Sequence, residues 1–191
     1  FGRLYDVIAP MDEVEVRLTP DEGMYVINLT GNEAVRVMEV LNDGARSDFE
    51  ESVACIGASI CQVGVRDSQA LLREAVQAVR EAGLGADALP QIHISGCPSS
   101  CGTHQIGAIG FHGGVKMIDK VPHPAFTLHF NGCDLQGHER MGEQVGVMLQ
   151  EQIPAFLVEL GKTVESSNMT YQEWIQDHKE DAKEIAKQYL A

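Results

Sequence analysis

Apolar and polar residues alternate in two short runs near the start of the chain. Residues 13–19 place charged side chains at every second position with apolar ones between them, which is the period of a strand with one face in water. Residues 24–29 are a second apolar run, and the turn-forming residues 20–23 separate the two. The pattern predicts an antiparallel pair of strands.

A helix is predicted directly after these strands, capped by Asn32 and ended by Gly44. Its apolar positions recur at three- and four-residue spacing, at Ala34, Val35, Met38 and Leu41. Together these elements predict a strand-strand-helix domain over residues 1–48, followed by a second domain over residues 49–191. A two-stranded sheet is too small to be stable alone, so the first domain is expected to pack on something else.

The second domain opens with the clearest helical pattern in the chain. Residues 68–82 have one apolar and one charged face, and Gly83 is the expected C-terminal stop. Strands are predicted where apolar residues are dense or alternate with polar ones, at 91–95, 106–111 and 125–130. This part of the chain is therefore predicted to mix helices with a sheet.

Two more helices are predicted towards the end of the chain. The first spans residues 143–160 and ends at Gly161, with Pro154 kinking or dividing it. The second begins at a capping box formed by Thr170 and Glu173. Its apolar stripe consists of Trp174, Ile175, His178, Ala182, Ile185 and Tyr189.

Charge and hydropathy exclude several classes of protein. The 191 residues include 28 acidic and 14 basic ones, a net charge of −14 that would repel a nucleic acid backbone. No apolar run approaches the roughly 18 residues of a membrane span, and no signal peptide opens the sequence, so a cytoplasmic protein is predicted. The chain starts at Phe1 rather than at Met, which suggests part of a longer or processed polypeptide.

The middle of the chain carries the candidate chemistry. Residues 55–133 hold five acidic and five basic residues and are neutral, whereas both flanks are acidic. All five cysteines and five of the seven histidines lie there: Cys55, Cys61, Cys97, Cys101, Cys133, His93, His104, His112, His123 and His129. An odd number of cysteines without an export signal favours reduced thiols.

Four of these cysteines form two pairs. Five residues separate Cys55 from Cys61 and three separate Cys97 from Cys101. The wider gap fits zinc poorly, whereas iron–sulfur clusters accept more varied spacings. Glycines around the second pair would let the backbone approach a bulky inorganic group. Buried, unligated cysteines are the alternative to a metal site at this point.

The same residues resemble the nitrite and sulfite reductases that contain siroheme and a [4Fe–4S] cluster. The likeness rests on the spacing of the first pair and on the Gly-Cys-Pro-Ser-Ser-Cys-Gly run at residues 96–102. Residues 15–20, 54–57 and 106–111 also resemble family segments in the right order, so the likeness covers about residues 13–135. Ser99 replaces an asparagine that is frequent in the family, and the Cys133-Asp134 pair departs from it as well.

The resemblance implies a set of cofactor ligands. Cys55, Cys61, Cys97 and Cys101 would hold the [4Fe–4S] cluster, and Cys101 would also be the axial ligand of the siroheme iron. No catalytic residue is assigned. Cys133 is interpreted as a small residue beside the cofactor or in the core, or else as a substitute ligand. His104 and His112 are either hydrogen-bonded loop residues or groups that donate protons or bind propionates.

The resemblance also implies fold, activity and partners. The expected fold is α+β, a mixed sheet with flanking helices, preceded by a ferredoxin-like half unit. The chain would be the C-terminal part of an enzyme that reduces nitrite to ammonia or sulfite to sulfide with six electrons. Its partners would be the missing N-terminal half of the polypeptide and an electron donor such as ferredoxin or a reductase subunit. A non-catalytic iron–sulfur electron-transfer module and a structural zinc domain are the alternatives.

The isolated chain is expected to be inactive, because the sequence shows no pocket for an anion. Of the five basic residues between 55 and 133, Arg66, Arg73 and Arg80 lie on or beside the helix at 68–82 and are predicted to face solvent. His93 lies between two isoleucines on a strand and is predicted to be structural, on the opposite face of the sheet.

Overall fold

The computed structural model describes residues 1–19, 23–42 and 44–191. They divide into two compact units, Phe1–Arg46 and Ser47–Ala191. Within these described residues, no helix combines the length and the apolar character needed to cross a lipid bilayer.

The first unit contains two helices and one pair of strands. Helix α1 is Gly2–Ile8, strands β1 and β2 are Glu15–Leu18 and Met24–Ile27, and helix α2 is Gly31–Leu41. The predicted antiparallel pairing is confirmed, with Glu15 opposite Ile27. The predicted turn at residues 20–22 lies outside the described residues. Helix α1 was not predicted from the sequence; its single buried side chain, Leu4, is too weak a signal for an amphipathic stripe.

Helix α2 begins earlier than predicted. Thr30, not Asn32, is its N-cap, and the Glu33 carboxylate accepts a hydrogen bond of 2.8 Å from the Thr30 backbone N–H. Val37 is the buried residue of this helix, whereas Val35 and Met38 of the predicted apolar stripe are exposed. The capping box at Thr30 and Glu33 therefore sets the helix start two residues before the predicted position.

The second unit is built on a five-stranded sheet. Its strands, in the order in which they pair, are β3 (Val53–Ala54), β4 (Ile92–Ser95), β5 (Ile109–Ile118), β6 (Val121–Phe130) and β7 (Glu143–Leu149). The β3–β4 and β4–β5 pairs are parallel, and the β5–β6 and β6–β7 pairs are antiparallel. With helices on one face of this mixed sheet, the α+β prediction is confirmed.

Helix α3, Ser68–Ala82, has the predicted bounds. The Asp67 carboxylate caps its N-terminus by accepting a hydrogen bond of 2.9 Å from the Ala70 N–H, and Gly83 ends it in the left-handed conformation. Leu71, Ala75 and Val79 of its apolar face are buried. The helix thereby connects the β3 region to β4 and covers one face of the sheet.

Strands β5 and β6 form a hairpin that is much longer than the predicted strands. The two-residue turn of Asp119 and Lys120 joins them, and both turn residues have positive φ values, 49° and 66°. This is the backbone twist that favours tight hairpins. Gly113, Gly114 and two prolines obscure this hairpin in the sequence, because such residues are usually depleted in strands.

The predicted helix at 143–160 is wrong in its first half. Residues 143–149 form strand β7, and helix α4 is Ile153–Ser166. Pro154 lies in the first turn of α4, where its missing N–H costs nothing, so it neither kinks nor divides the helix. Gly161 lies inside α4 rather than at its end. A glycine suits this position because a side chain there would press against Leu84.

The terminal segment forms two helices instead of the single one predicted. They are α5 (Tyr171–Asp177) and α6 (Lys179–Lys187), separated at His178. The predicted capping box at Thr170 and Glu173 is confirmed. Trp174 and Ala182 of the predicted stripe are buried in the hydrophobic core, which lies between the helices and one face of the sheet.

The other face of the sheet is polar. Side chains alternate along a strand, so the residues between the core positions of β4, β5 and β6 point away from the helices. They include His93, Ser95, His112, Thr127 and His129. The loop after β4 covers this face so closely that most of these side chains are buried.

Candidate metal centre

The first cysteine of each pair lies at the carboxyl end of a parallel strand. Cys55 follows β3 and Cys97 follows β4 after one glycine. Because Ala54 is in register with Ile94, the segments that follow β3 and β4 leave the sheet side by side. Adjacent parallel strands thus bring together loops that are about 40 residues apart in sequence.

Hydrogen bonds join the two cysteine loops. The Gly96 N–H points at the Cys55 Sγ at 3.1 Å. The Val65 and Arg66 N–H groups both donate to the Gly96 carbonyl, at 3.0 and 2.8 Å. The loop that carries Cys61 and the loop that carries Cys97 are therefore held against one another by their backbones.

Glycines allow this close approach. A Cβ atom on Gly96 would lie 2.6 Å from the Arg66 carbonyl oxygen and 2.9 Å from the Cα of Gly57. Gly57 itself has a φ of +62°, in the left-handed region that other residues avoid. The glycine-rich context noted in the sequence thus serves the packing of loop on loop.

The four paired cysteines differ in exposure. Cys55 and Cys97 are buried, Cys61 is half-buried and Cys101 is exposed. All five cysteines of the chain are free thiols. Ser100, directly before Cys101, has a φ of 63°, so the backbone turns sharply at the exposed thiol.

Three histidines form a second cluster on the polar face of the sheet. His104 comes from the loop after Cys101, His112 from β5 and His129 from β6. One ring nitrogen of each lies within 4.8 Å of those of the other two. Among the described residues, this is the one group of three or more His, Cys, Asp or Glu side chains found at such spacing.

Hydrogen bonds orient these rings. The His112 Nδ1 and the His129 Nε2 are 3.0 Å apart and share one hydrogen bond. The His104 Nδ1 lies 2.9 Å from the Ser95 Oγ, which also accepts a hydrogen bond of 3.1 Å from the Gly102 N–H. The cluster is thereby attached to β4 as well as to β5 and β6.

Burial favours the neutral form of all three histidines in the cluster. Burial, and after it the charges of His112 and His129, lowers the pKa of His104 to about 4. Burial also lowers the pKa values of His112 and His129. Neutral imidazole is the form of histidine that binds metal ions.

The chain is similar to known proteins in sequence and in fold. No family model matches it. The sulfite reductase (NADPH) hemoprotein beta-component of Salmonella paratyphi A is 24% identical over 168 residues, which are 82% of this chain and 27% of that protein. The protein of the same name from Bacillus licheniformis is 25% identical over 117 residues, 56% of this chain and 20% of that protein.

The solved structure of the NirA protein of Mycobacterium tuberculosis matches with a TM-score of 0.64 and 19% identity, over 82% of this chain and 31% of that one. At this identity the match establishes a shared fold. These matches support membership of the nitrite and sulfite reductase family over part of its length. The chain spans about a quarter of the length of the curated relatives it matches.

Cys133 and His93 lie beside the same cavity. Cys133 pairs by its backbone with Arg140, whose guanidinium donates to the Asn131 carbonyl at 2.8 Å. Cys133 and Arg140 line a cavity of about 460 Å³, which His93 also borders. His93 itself is buried, with its Nδ1 at 2.7 Å from the Thr103 Oγ1.

One sequence prediction about basic residues is wrong. Arg66 does not face solvent: it is half-buried beside Gly96 and Gly113, and its buried Nε has no hydrogen-bond partner among the described residues. Arg73 and Arg80 are exposed as predicted, and Arg80 forms a bidentate ion pair with Glu50 at 2.7 and 2.6 Å. Arg66 lies outside the helical pattern, so its burial depends on the loop contacts with residue 96.

The prediction that His104 and His112 form hydrogen bonds is confirmed, but it did not include their neighbour His129. His104 is a hydrogen-bonded loop histidine, as one interpretation held, but His112 lies on β5 rather than in the loop. His129 was not predicted to join them. Its apolar neighbours Leu128 and Phe130 mark it as the outward residue of a strand, but only the β5–β6 register places it beside His112.

Proposed function

We propose that this chain is the part of a siroheme-dependent nitrite or sulfite reductase that holds the [4Fe–4S] cluster, on Cys55, Cys61, Cys97 and Cys101. The observation that carries this proposal is the meeting of the two cysteine loops at the carboxyl ends of β3 and β4. Membership of the reductase family supports it.

The residue types of the two loops suit an iron–sulfur cluster. Four thiols are the ligand set that such clusters use. The Gly96 N–H that points at the Cys55 sulfur is a hydrogen bond of the kind that tunes cluster potentials. Gly57 and Gly96 let the backbones of the two loops pack closely together.

Exposure supports Cys101 as the shared ligand. Cys97 is buried, whereas Cys101 projects from a sharp turn and is exposed. A thiolate that also reaches an iron outside the cluster must lie at the surface of the loop. With both groups bound, the cluster and the siroheme supply electrons in succession to one substrate, and this chain orients them and sets their surroundings.

The rest of the reductase is proposed to complete the site. The curated relatives are about four times as long as the segment matched here, and residues outside this chain would supply the positive pocket for nitrite or sulfite. Ferredoxin or a reductase subunit would donate electrons. The five free thiols support a reducing compartment, the cytoplasm, as the place of action.

Anaerobic reconstitution tests the cluster. The chain should bind about four irons and four sulfides. Cys55→Ser and Cys61→Ser should lose most of this content, whereas the matched control Cys133→Ser should keep it. Unchanged iron and sulfide in both Cys55→Ser and Cys61→Ser would remove these residues from the ligand set. Zinc without acid-labile sulfide in the native protein would establish the structural zinc domain instead.

The axial ligand is tested in protein that also contains siroheme. Cys101→Ser should abolish the electronic coupling between cluster and siroheme, measured by electron paramagnetic resonance, whereas Cys97→Ser should reduce cluster content without selectively removing the coupling. A structure with siroheme in which His104 or Cys97 is the axial ligand would refute the assignment of Cys101.

A further inference from the structure

The histidine cluster on the polar face of the sheet is not used by the proposed cofactor site. We propose that His104, His112 and His129 together bind one divalent transition-metal ion of the zinc class, with the remaining coordination position open to water. The site shares no residue with the four cysteines. It therefore adds a second metal to the protein, independent of the iron–sulfur proposal.

The spacing of the rings is close to that of a bound ion. Zinc lies about 2.0–2.1 Å from histidine nitrogens, so tetrahedral ligands are about 3.3 Å apart. The His112 Nδ1 and His129 Nε2 are already 3.0 Å apart. The third ring brings a nitrogen within 4.8 Å of both, so a movement of about 1.5 Å or less towards the other two completes the set.

Chemistry at the ring nitrogens allows the ion to enter without forming a charged histidine. The hydrogen bond between His112 and His129 holds one N–H proton, which moves to the other nitrogen of the same ring when the ion binds. Both facing nitrogens then offer a lone pair. His104 uses its Nδ1 on Ser95 and keeps its Nε2 for the ion.

The hydrogen bonds behind the His104 ring resemble those that support the histidine ligands of known metal sites. Metal-bound histidines usually have their other ring nitrogen fixed by a hydrogen bond, which sets the tautomer and the ring orientation. The Ser95 Oγ does this for His104, and the Gly102 N–H fixes Ser95 in turn. Such support distinguishes the cluster from histidines that meet by chance on a surface.

Access to the site is from the side of His112. His104 is 1% exposed and His129 is 8% exposed, whereas His112 is half-buried. Three imidazoles with one open side are the ligand arrangement of zinc sites that keep a water molecule. The inferred ligand is therefore a zinc-class ion that retains one exchangeable water.

Histidine-selective nuclear magnetic resonance tests the site in the full chain. The chain is labelled with ¹⁵N in its histidine rings, freed of metal with a chelator and titrated with Zn²⁺. We expect the ring nitrogens of His104, His112 and His129 to shift together at one equivalent, while those of His123, His138 and His178 do not. This readout is blind to zinc that binds only to cysteines.

Variants measure the contribution of one ligand. Loss of a supporting contact typically weakens a metal site about 10- to 100-fold, so His112→Gln should weaken the zinc-induced shifts of His104 and His129 by about 100-fold or more. His123→Gln is the matched control, because His123 lies on β6 some 20 Å before His129 by strand geometry. It should leave zinc affinity unchanged.

The proposal is overturned if zinc leaves the resonances of the three rings unshifted in the native chain. It is also overturned if His112→Gln and His123→Gln bind zinc with equal affinity. The native titration decides even if His112→Gln does not fold. Iron and sulfide content of His112→Gln separates the two proposals, because the hydrogen bond of the His112 side chain is to His129 and not to a cysteine. Full cluster content with lost zinc binding is the expected result.

Discussion

Gly110 shows how tightly the loop after Cys101 covers the sheet. A Cβ atom on this residue of β5 would lie 1.8 Å from the His104 carbonyl oxygen, which belongs to the backbone and cannot rotate away. Gly114, on the same strand and the same face, has nothing within 4 Å of such an atom. The two glycines therefore differ in their tolerance of a methyl group.

Gly110→Ala should lower the free energy of unfolding by about 3 kcal/mol, the upper end of the usual cost of overpacking. The matched Gly114→Ala should change it by less than about 0.5 kcal/mol. Urea unfolding followed by circular dichroism measures both. Equal stability of the two variants would mean that the loop does not lie on β5 as described.

Burial of His104 predicts how stability depends on pH in metal-free protein. The pKa of His104 falls from 6.5 to about 4 on folding. Between these values the unfolded chain takes up a proton that the folded chain refuses, so stability is complete above pH 6.5 and is lost as the pH falls towards 4. Ser95, His93, His112 and His129 are the groups that face the ring or act on it.

With chelator present, native protein should lose about 3 kcal/mol more than His104→Gln between pH 7 and pH 4, since one pKa unit corresponds to about 1.4 kcal/mol. His123→Gln should follow the native curve. Parallel stability curves for native protein and His104→Gln would contradict the burial of a neutral ring.

At the scale of elements, the N-terminus of α5 depends on one side chain. The Thr170 Oγ1 accepts a hydrogen bond of 3.3 Å from the Glu173 N–H, and the Glu173 carboxylate accepts one of 2.9 Å from the Thr170 N–H. Helix α5 in turn places Tyr171 and Trp174 in the core. Loss of the cap should therefore be felt by the whole second unit.

Thr170→Ala should cost about 1 kcal/mol of unfolding free energy, the usual value of an N-cap, whereas Thr170→Ser keeps the hydroxyl and should cost much less. Thermal and urea unfolding provide the measurement. If both variants matched the native protein, the capping box would have no energetic role.

The elements that were predicted well from the sequence are those whose caps, apolar stripes and stop residues lie within one short segment. Helix α3 has its cap, stripe and glycine stop within residues 67–83, and its bounds were predicted correctly. Strand β7 was predicted as a helix because Val145, Met148 and Leu149 fit a helical period as well as a strand. The pairing with β6, a long-range contact, decides between the two.

The candidate site, like the fold, was predictable from the sequence only where its signals are local. The cysteine pairs are visible as spacings in the sequence, and the family resemblance follows from them. The contact of Gly96 with Arg66 and the cluster of His104 with His129 depend on sheet register and loop packing. Neither leaves a periodic signal in the sequence.

At the scale of the whole molecule, the basic residues are poorly placed for catalysis by this chain alone. In the segment 55–133, Arg80 is paired with Glu50, Arg73 is exposed on α3, and Lys116 bonds the carbonyl of Ala191. Arg66 is the basic residue beside the cysteine loops. Loss of even one preorganised donor typically slows such a reaction by about 10²–10³-fold.

The chain with cluster and siroheme supplied should therefore reduce nitrite or sulfite at the background rate of the free cofactors with the same chemical reductant. Ammonia and sulfide assays measure this, with the free cofactors as the control. Sustained turnover above that control would show that the chain contains a complete anion site.

Strand β3 has a consequence for the maturation of the apoprotein. It is two residues long and pairs with β4 across about 40 residues of sequence, whereas β5 and β6 meet through a two-residue turn. Local hairpins form early in folding. Strand pairings that are short and distant in sequence form late and open first. We expect amide hydrogens at residues 53–55 to exchange long before those of the hairpin. If β3 opened alone, the buried Cys55 thiol would become accessible, and the proposed iron–sulfur cluster could be delivered to a protein whose core is already folded.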